Sequence, residues 1–283
     1  MASFTNFATL SYNGGTTNSN IVTGEILEAL TAVKTAVSAN YSAGDRITYA
    51  LSLVNTGTAA ITDYTVTDNL GGYTVGANTV YPLAYNAGTV RYYINGVLQA
   101  APTVTAGPPL TVTGLTVPAG GSAVLIYETT ATPVAPLATG SSITNTATIT
   151  GGGLRTPITA QATVETANSA DLTISKALSP TTVTENGRIT YTFVISNTGN
   201  TEATATGNVV VTDTFAPILR NIAVTYNGTA WTEGTNYTYN AATGVFTTLA
   251  GQITVPAASF TQNTDGTFTV TPGTTTLVIT GTV

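Results

Sequence analysis

The chain carries a repeat that is cut out of phase. Residues 4–10 read FTNFATL and residues 143–149 read ITNTATI, an offset of 143 − 4 = 139 that sets Asn6 over Asn145 and Ala8 over Ala147. Two longer segments repeat between these points. Lys34 falls on Lys176, Arg46-Ile47-Thr48-Tyr49 on Arg188-Ile189-Thr190-Tyr191, and Asn55-Thr56-Gly57 on Asn197-Thr198-Gly199, all 176 − 34 = 142 residues apart. Val66-Thr67-Asp68 then meets Val211-Thr212-Asp213 at 145, and residues 117–126 meet 270–279 at 153. The first copy runs on through residues 143–149, a Gly151-Gly152-Gly153 turn and residues 158–164. The second stops at Val283, close to its equivalent of Glu128. The amino terminus supplies FTNFATL, a Gly14-Gly15 turn and residues 21–27, which match what the second copy lacks. A module that begins with the piece its other end lacks is expected to complete a copy of itself, giving an open head-to-tail polymer of identical subunits.

Composition narrows the chemistry. Charged residues make up 7% of 283 and the net charge is −6, so neither a basic nucleic-acid face nor a polybasic membrane anchor is expected. Cysteine and histidine are absent, which removes disulfides, thiol nucleophiles, thiolate zinc sites and the commonest general base. No apolar run approaches the roughly 20 residues of a membrane span, and no export signal is visible. No metal, cofactor or small-molecule substrate is expected, since calcium-loop spacing, phosphate loops and nucleophile elbows are missing around Asp63, Asp68 and elsewhere.

Short alternating runs rich in Thr, Val and Tyr, punctuated by Asn95-Gly96 and Asn227-Gly228, predict an all-β chain. The one helix-like stretch, residues 26–37, also alternates, and its second half reads as a strand. The expected organisation is a donor strand and linker over 1–29, one β-sandwich over 30–167, and a second over 168–283 that lacks its last strand and exposes an acceptor groove. Two aromatic groups, Tyr81, Tyr85, Tyr92 and Tyr93, and Tyr226, Trp231, Tyr237 and Tyr239, read as cross-strand packing rather than sugar platforms.

Parity along the strands turns three polar residue types inward, in duplicate. Lys34 shares a face with Leu30, Ala32 and Ala36, and Lys176 with Leu172, Ile174 and Leu178. Asp68 lies with Tyr64, Val66 and Leu70, and Asp213 with Val209, Val211 and Phe215. Asn145 lies with Ile143, Ala147 and Ile149; Asn6 lies with Phe4, Ala8 and Leu10 on the donor strand. Burial favours the neutral amine and the neutral acid. A neutral lysine is a nucleophile, and a protonated aspartic acid beside an asparagine polarises its amide and carries the proton that lets ammonia leave. The product is a Lys–Asn isopeptide bond. A buried Lys–Asp ion pair beside a hydrogen-bonded asparagine is the other reading, and Glu128 is a rival acid in the first copy.

The lysine strand, Asn-Thr-Gly turn, Val-Thr-Asp strand and closing Asn-Thr-Ala-Thr strand resemble the tandem Ig-like repeat domains of unknown function on bacterial and archaeal surface proteins. The order Lys, Asp, Asn is also similar to that of isopeptide-forming Ig-like domains in Gram-positive adhesins and pili. The resemblance implies that Lys34 bonds Asn145 with Asp68 as catalyst. In the second copy Lys176 and Asp213 are present, but the matching asparagine is Asn6 of another subunit. The expected product is an extracellular filament on a cell or spore surface, locked by self-catalysed bonds, with no enzyme activity on outside substrates. A non-polymerising adhesin stalk and a carbohydrate-binding module are the alternatives.

Overall fold

The computed structural model describes residues 2–26 and 29–283. Among them the chain is all-β, with a single 3₁₀ turn at Ala205–Gly207 and no helix long and apolar enough to cross a membrane. Leu27 and Glu28, at the join between the amino-terminal arm and the first copy, lie outside the described residues. The alternating stretch after them forms a strand, Leu30–Ala36. The Asn-Gly pairs at 95–96 and 227–228 turn hairpins, each with two consecutive positive φ angles: 48° and 80° at Asn95-Gly96, and 47° and 80° at Asn227-Gly228. Two positive φ angles match the twist of the flanking strands, which is why this dipeptide is legible.

Two separate apolar clusters form, one from residues of the first copy and one from residues of the second. The first lies between two sheets. One has the order Val97–Leu98, Arg91–Ile94, Ser122–Ala131, Arg46–Asn55, Leu30–Ala36, so the lysine strand is at its edge. The other runs Thr103–Ala106, Leu110–Val117, Ile61–Asp68, Ser142–Gly151, Ile158–Thr166, Asn40–Tyr41. Strict alternation drives the layering. Ile47, Tyr49, Leu51 and Leu53 on one strand, and Ile143, Asn145, Ala147 and Ile149 on another, are all buried while their neighbours are not. The Ile158–Thr166 strand, returning from the asparagine strand, also packs against the lysine strand and so closes the sandwich over it.

The second cluster repeats the lysine sheet, in the order Leu172–Ser179, Arg188–Asn197, Gly273–Thr282, Arg220–Tyr226, Thr229–Trp231. Its other sheet contains only Thr212–Thr214, Val245–Thr248 and Tyr237–Asn240. Among the described residues, one edge of the aspartate strand therefore has no ladder partner, and no return strand covers the lysine strand.

A buried asparagine fixes the correspondence between the copies. Asn55 Nδ2 donates to the carbonyls of Ala59, Val117 and Pro118, and its Oδ1 accepts from Gly57 N–H. Asn197 repeats every contact, to Thr201, Val255, Pro256 and Gly199. Val117-Pro118 therefore corresponds to Val255-Pro256, an offset of 255 − 117 = 138, and not to residues 270–271 as the sequence match suggested. The following strands, Ser122–Ala131 and Gly273–Thr282, match at 274 − 122 = 152 by their ladder partners Val54 and Ser196. The difference, 152 − 138 = 14, is an insertion that forms the hairpin Ser259–Gln262 with Phe268–Thr271. It reaches back to the first copy, where Gln262 Nε2 donates to the Tyr73 hydroxyl at 2.9 Å. Asn200 completes the join: it accepts from Ser169 N–H and Thr139 Oγ1 and donates to Leu137 O and Ala167 O.

Replacing Asn55 by Ala strands several buried carbonyls and one N–H at once. We expect Asn55→Ala to cost about 2–4 kcal/mol, read as a lower midpoint in urea unfolding at unchanged slope.

Candidate functional site

In the first copy the inward polar residues meet. Lys34 Nζ lies 2.5 Å from Asp68 Oδ2, with the two side chains 0% and 2% exposed. The other carboxylate oxygen, Oδ1, accepts the N–H of Leu70 at 3.0 Å. Asp68 sits opposite Ala147 across the ladder, so Asn145, two residues along the same inner face, occupies the diagonal position. Asn145 is fully buried, yet neither its amide oxygen nor its nitrogen has a hydrogen-bond partner. A primary amide in that state is costly, and an unsatisfied buried group invites a functional explanation.

Two tyrosines frame the pair. Tyr127 donates its hydroxyl to Asp68 Oδ2, and the Lys34 ammonium stands 4.8 Å from the Tyr49 ring centre and 5.9 Å from that of Tyr127. Both side chains also interact with Asn145. Neither was among the expected site residues, although Tyr49 alternates with Ile47 and Leu51 and Tyr127 with Leu125 and Thr129. Their common level is set by a Tyr49–Tyr127 ladder pair between strands about 80 residues apart, which parity along one strand does not reveal.

Burial pulls the Lys34 amine down to about 8, against the opposing charge and hydrogen bond of Asp68. Burial, reinforced by the Asp68 charge, pushes the Tyr127 phenol well up. The site thus holds an amine within reach of neutrality, a carboxyl that can take its proton, and an unpaired amide. Glu128 does not belong to it. Its side chain is on the outward face of its strand, partly exposed and 3.6 Å from Arg46, so the rival acid is directed away from Lys34.

The second copy holds the same pair in an open setting. Lys176 bonds Asp213 Oδ2, but the side chains are 40% and 17% exposed. Asp213 Oδ1 accepts the N–H of Thr214 at 2.9 Å. The ammonium lies 4.5 Å from the Tyr191 ring centre, 5.4 Å from Phe193 and 5.5 Å from Phe215. Tyr191 repeats Tyr49, whereas the ladder partner that would repeat Tyr127 is Ile279. Every residue of the lysine strand after Leu172 is exposed, including Ile174 at 55% and Leu178 at 38%.

The amino-terminal arm is a hairpin rather than a single strand. Ala2–Asn6 pairs with Val22–Ile26, and Thr9–Tyr12 with Gly15–Asn18. Between them Ala8 N–H bonds Ser19 Oγ and Ser19 N–H bonds Ala8 O, because the return strand carries one extra residue there. Phe4, Asn6, Ala8 and Leu10 are therefore split across a bulge, and every residue over 4–23 is exposed, Phe4 by 51% and Leu10 by 63%. Ser142–Gly151 and Ile158–Thr166 form the corresponding hairpin of the first copy, with Asn145 facing Ala162 as Asn6 faces Val22. The aromatic groups pack within the protein: Tyr226 stacks on Trp231 at 4.8 Å, and Tyr92 is buried with its hydroxyl on Thr116 O.

No family model and no curated protein sequence matches the chain. Among solved structures it is similar to BcpA, the major pilin subunit of Bacillus cereus, at 15% identity over 96% of this chain and 73% of that one, with a TM-score of 0.36. It is also similar to the pilus backbone RrgB from Streptococcus pneumoniae, at 14% identity over 86% and 55%, TM-score 0.36. A collagen-binding domain from a Staphylococcus aureus adhesin matches at 11% identity over 49% and 99%, TM-score 0.30. Scores this low assign no function.

Proposed function

We propose that this chain is a structural subunit of an extracellular fibre. It consists of two β-sandwich domains, over 30–167 and 168–283, and polymerises by placing its amino-terminal hairpin in the second domain of a neighbouring copy. A Lys34–Asn145 bond forms within the first domain and a Lys176–Asn6 bond forms between subunits, with Asp68 and Asp213 as the respective catalysts.

One observation carries this reading: the same lysine–aspartate site occurs twice, once sealed by a hairpin bearing an asparagine and once open, in a chain with a free hairpin bearing an asparagine at the matching ladder position. The hairpin would add both strands. Its first would pair with the free edge at Thr212–Thr214, and its second would cover the exposed lysine strand, as Ile158–Thr166 covers Leu30–Ala36. Burial of Phe4, Ala8 and Leu10 with the added backbone pairing offers on the order of 5–10 kcal/mol before ordering costs.

The reactive form of the Lys34–Asp68 pair carries one shared proton, as neutral amine and neutral acid. Below the amine pKa of about 8 that proton is retained, and above it the pair loses the acid needed to release ammonia. Intact mass of freshly made chains should therefore show loss of one ammonia that Lys34→Ala abolishes. Its rate should be level at neutral pH and fall about tenfold per unit above the amine pKa. A rate that instead climbs through that pKa and levels off would mean that the amine acts without the acid.

A further inference from the structure

We propose that Tyr49 is a catalytic residue of the first site and Tyr191 of the second: its hydroxyl donates a hydrogen bond to the asparagine amide oxygen as that oxygen takes negative charge. The assignment rests on the isopeptide reading above and names the group that stabilises its transition state.

Three observations converge on Tyr49. Its side chain is fully buried, and its hydroxyl has no hydrogen-bond partner. Asn145, whose amide oxygen is also buried and without a hydrogen-bond partner, lies against it as it does against Tyr127. The Tyr49 ring centre stands 4.8 Å from the Lys34 ammonium, so the same side chain borders the amine and the asparagine. A phenol supplies one donor hydrogen. Tyr127 has committed its own to Asp68, whereas Tyr49 has committed its to nothing in the resting state.

The two sites separate the tyrosines independently. At the ladder level where Tyr49 pairs with Tyr127, Tyr191 pairs with Ile279. A group required by the reaction at both sites is the one present at both. Tyr191 already stands against Lys176, 4.5 Å from ring centre to ammonium.

The step balances without a further reactant. Lys34 passes one proton to Asp68, and the neutral Nζ attacks Cγ of Asn145. The C–N bond forms as the carbonyl π pair moves onto Oδ1, where the Tyr49 O–H meets it. A second Nζ proton passes by way of Asp68 to Nδ2, the Cγ–Nδ2 bond breaks, ammonia leaves, and the pair on Oδ1 restores the carbonyl. The phenol stays protonated throughout, in keeping with the upward push that burial gives it.

Tyr49→Phe keeps the ring and removes only the donor. In full-length chains made by pulsed cell-free synthesis and sampled by intact mass, we expect it to slow loss of the first ammonia about 100-fold, as for removal of one oxyanion donor. Tyr64→Phe removes another buried, unpartnered hydroxyl from the same core and should leave the rate at the wild-type value, which separates chemistry from packing. Tyr191→Phe should slow SDS-resistant coupling by a similar factor while filaments still form under the electron microscope. Wild-type rates in Tyr49→Phe and Tyr191→Phe overturn the assignment while leaving the bonds standing. Absence of ammonia loss from the wild-type chain overturns the isopeptide reading and this assignment with it.

Discussion

Boiled in SDS and resolved by electrophoresis, assembled chains are expected to run as a ladder of multimers, and Asn6→Ala, Lys176→Ala or Asp213→Ala each to collapse that ladder to monomer. The three residues have separate duties, so the common outcome is informative. Asn6→Ala removes the electrophile while leaving the hairpin intact, and Lys176→Ala removes the nucleophile. Asp213→Ala leaves both reactants but removes the group bonded to the Lys176 ammonium. Non-covalent joints worth on the order of 5–10 kcal/mol gross do not survive boiling detergent, whereas an amide does. All three variants should still form filaments in native buffer, because the hairpin's apolar and backbone contacts remain. A single monomer band from intact wild-type filaments would eliminate the intersubunit bond and leave strand exchange alone.

The placement of Lys34, Asp68 and Asn145 on inner faces was legible from a period of two, because each lies on a long strand whose neighbours alternate strictly between core and solvent. What escaped is non-local. Tyr49 and Tyr127 are brought together by a ladder between distant strands, and nothing in either local sequence marks one hydroxyl as bonded and the other as idle. The match of residues 117–126 to 270–279 misled because the inserted hairpin passes through Val270-Thr271-Pro272-Gly273 directly into the next strand, a Pro-Gly sequence resembling that of the turn at Val117-Pro118-Ala119-Gly120. Only the side-chain contacts of Asn55 and Asn197 distinguish them. The amino-terminal match was read through the Gly14-Gly15 turn to residues 21–27, so the two arms of the hairpin were legible. The Ala8–Ser19 bulge depends on hydrogen bonds that the alternation does not encode.

Removal of residues 1–26 is expected to abolish assembly, leaving a folded chain with an empty second groove. The first domain supplies its own asparagine hairpin and should be untouched, so its ammonia loss continues at the wild-type rate and serves as the internal control for folding. The second domain retains its apolar cluster, but its open face presents Ile174, Leu178 and an unpaired strand edge, the surface that favours irregular association. A peptide spanning residues 1–26, added to the truncated chain, should occupy that face, suppress such association and become covalently attached at Lys176. The same peptide with Asn6→Ala should bind without attaching. Filaments that persist in the truncated chain would place the subunit contact elsewhere, because no other described hairpin presents an asparagine at the ladder position that Asn145 holds in the sealed site.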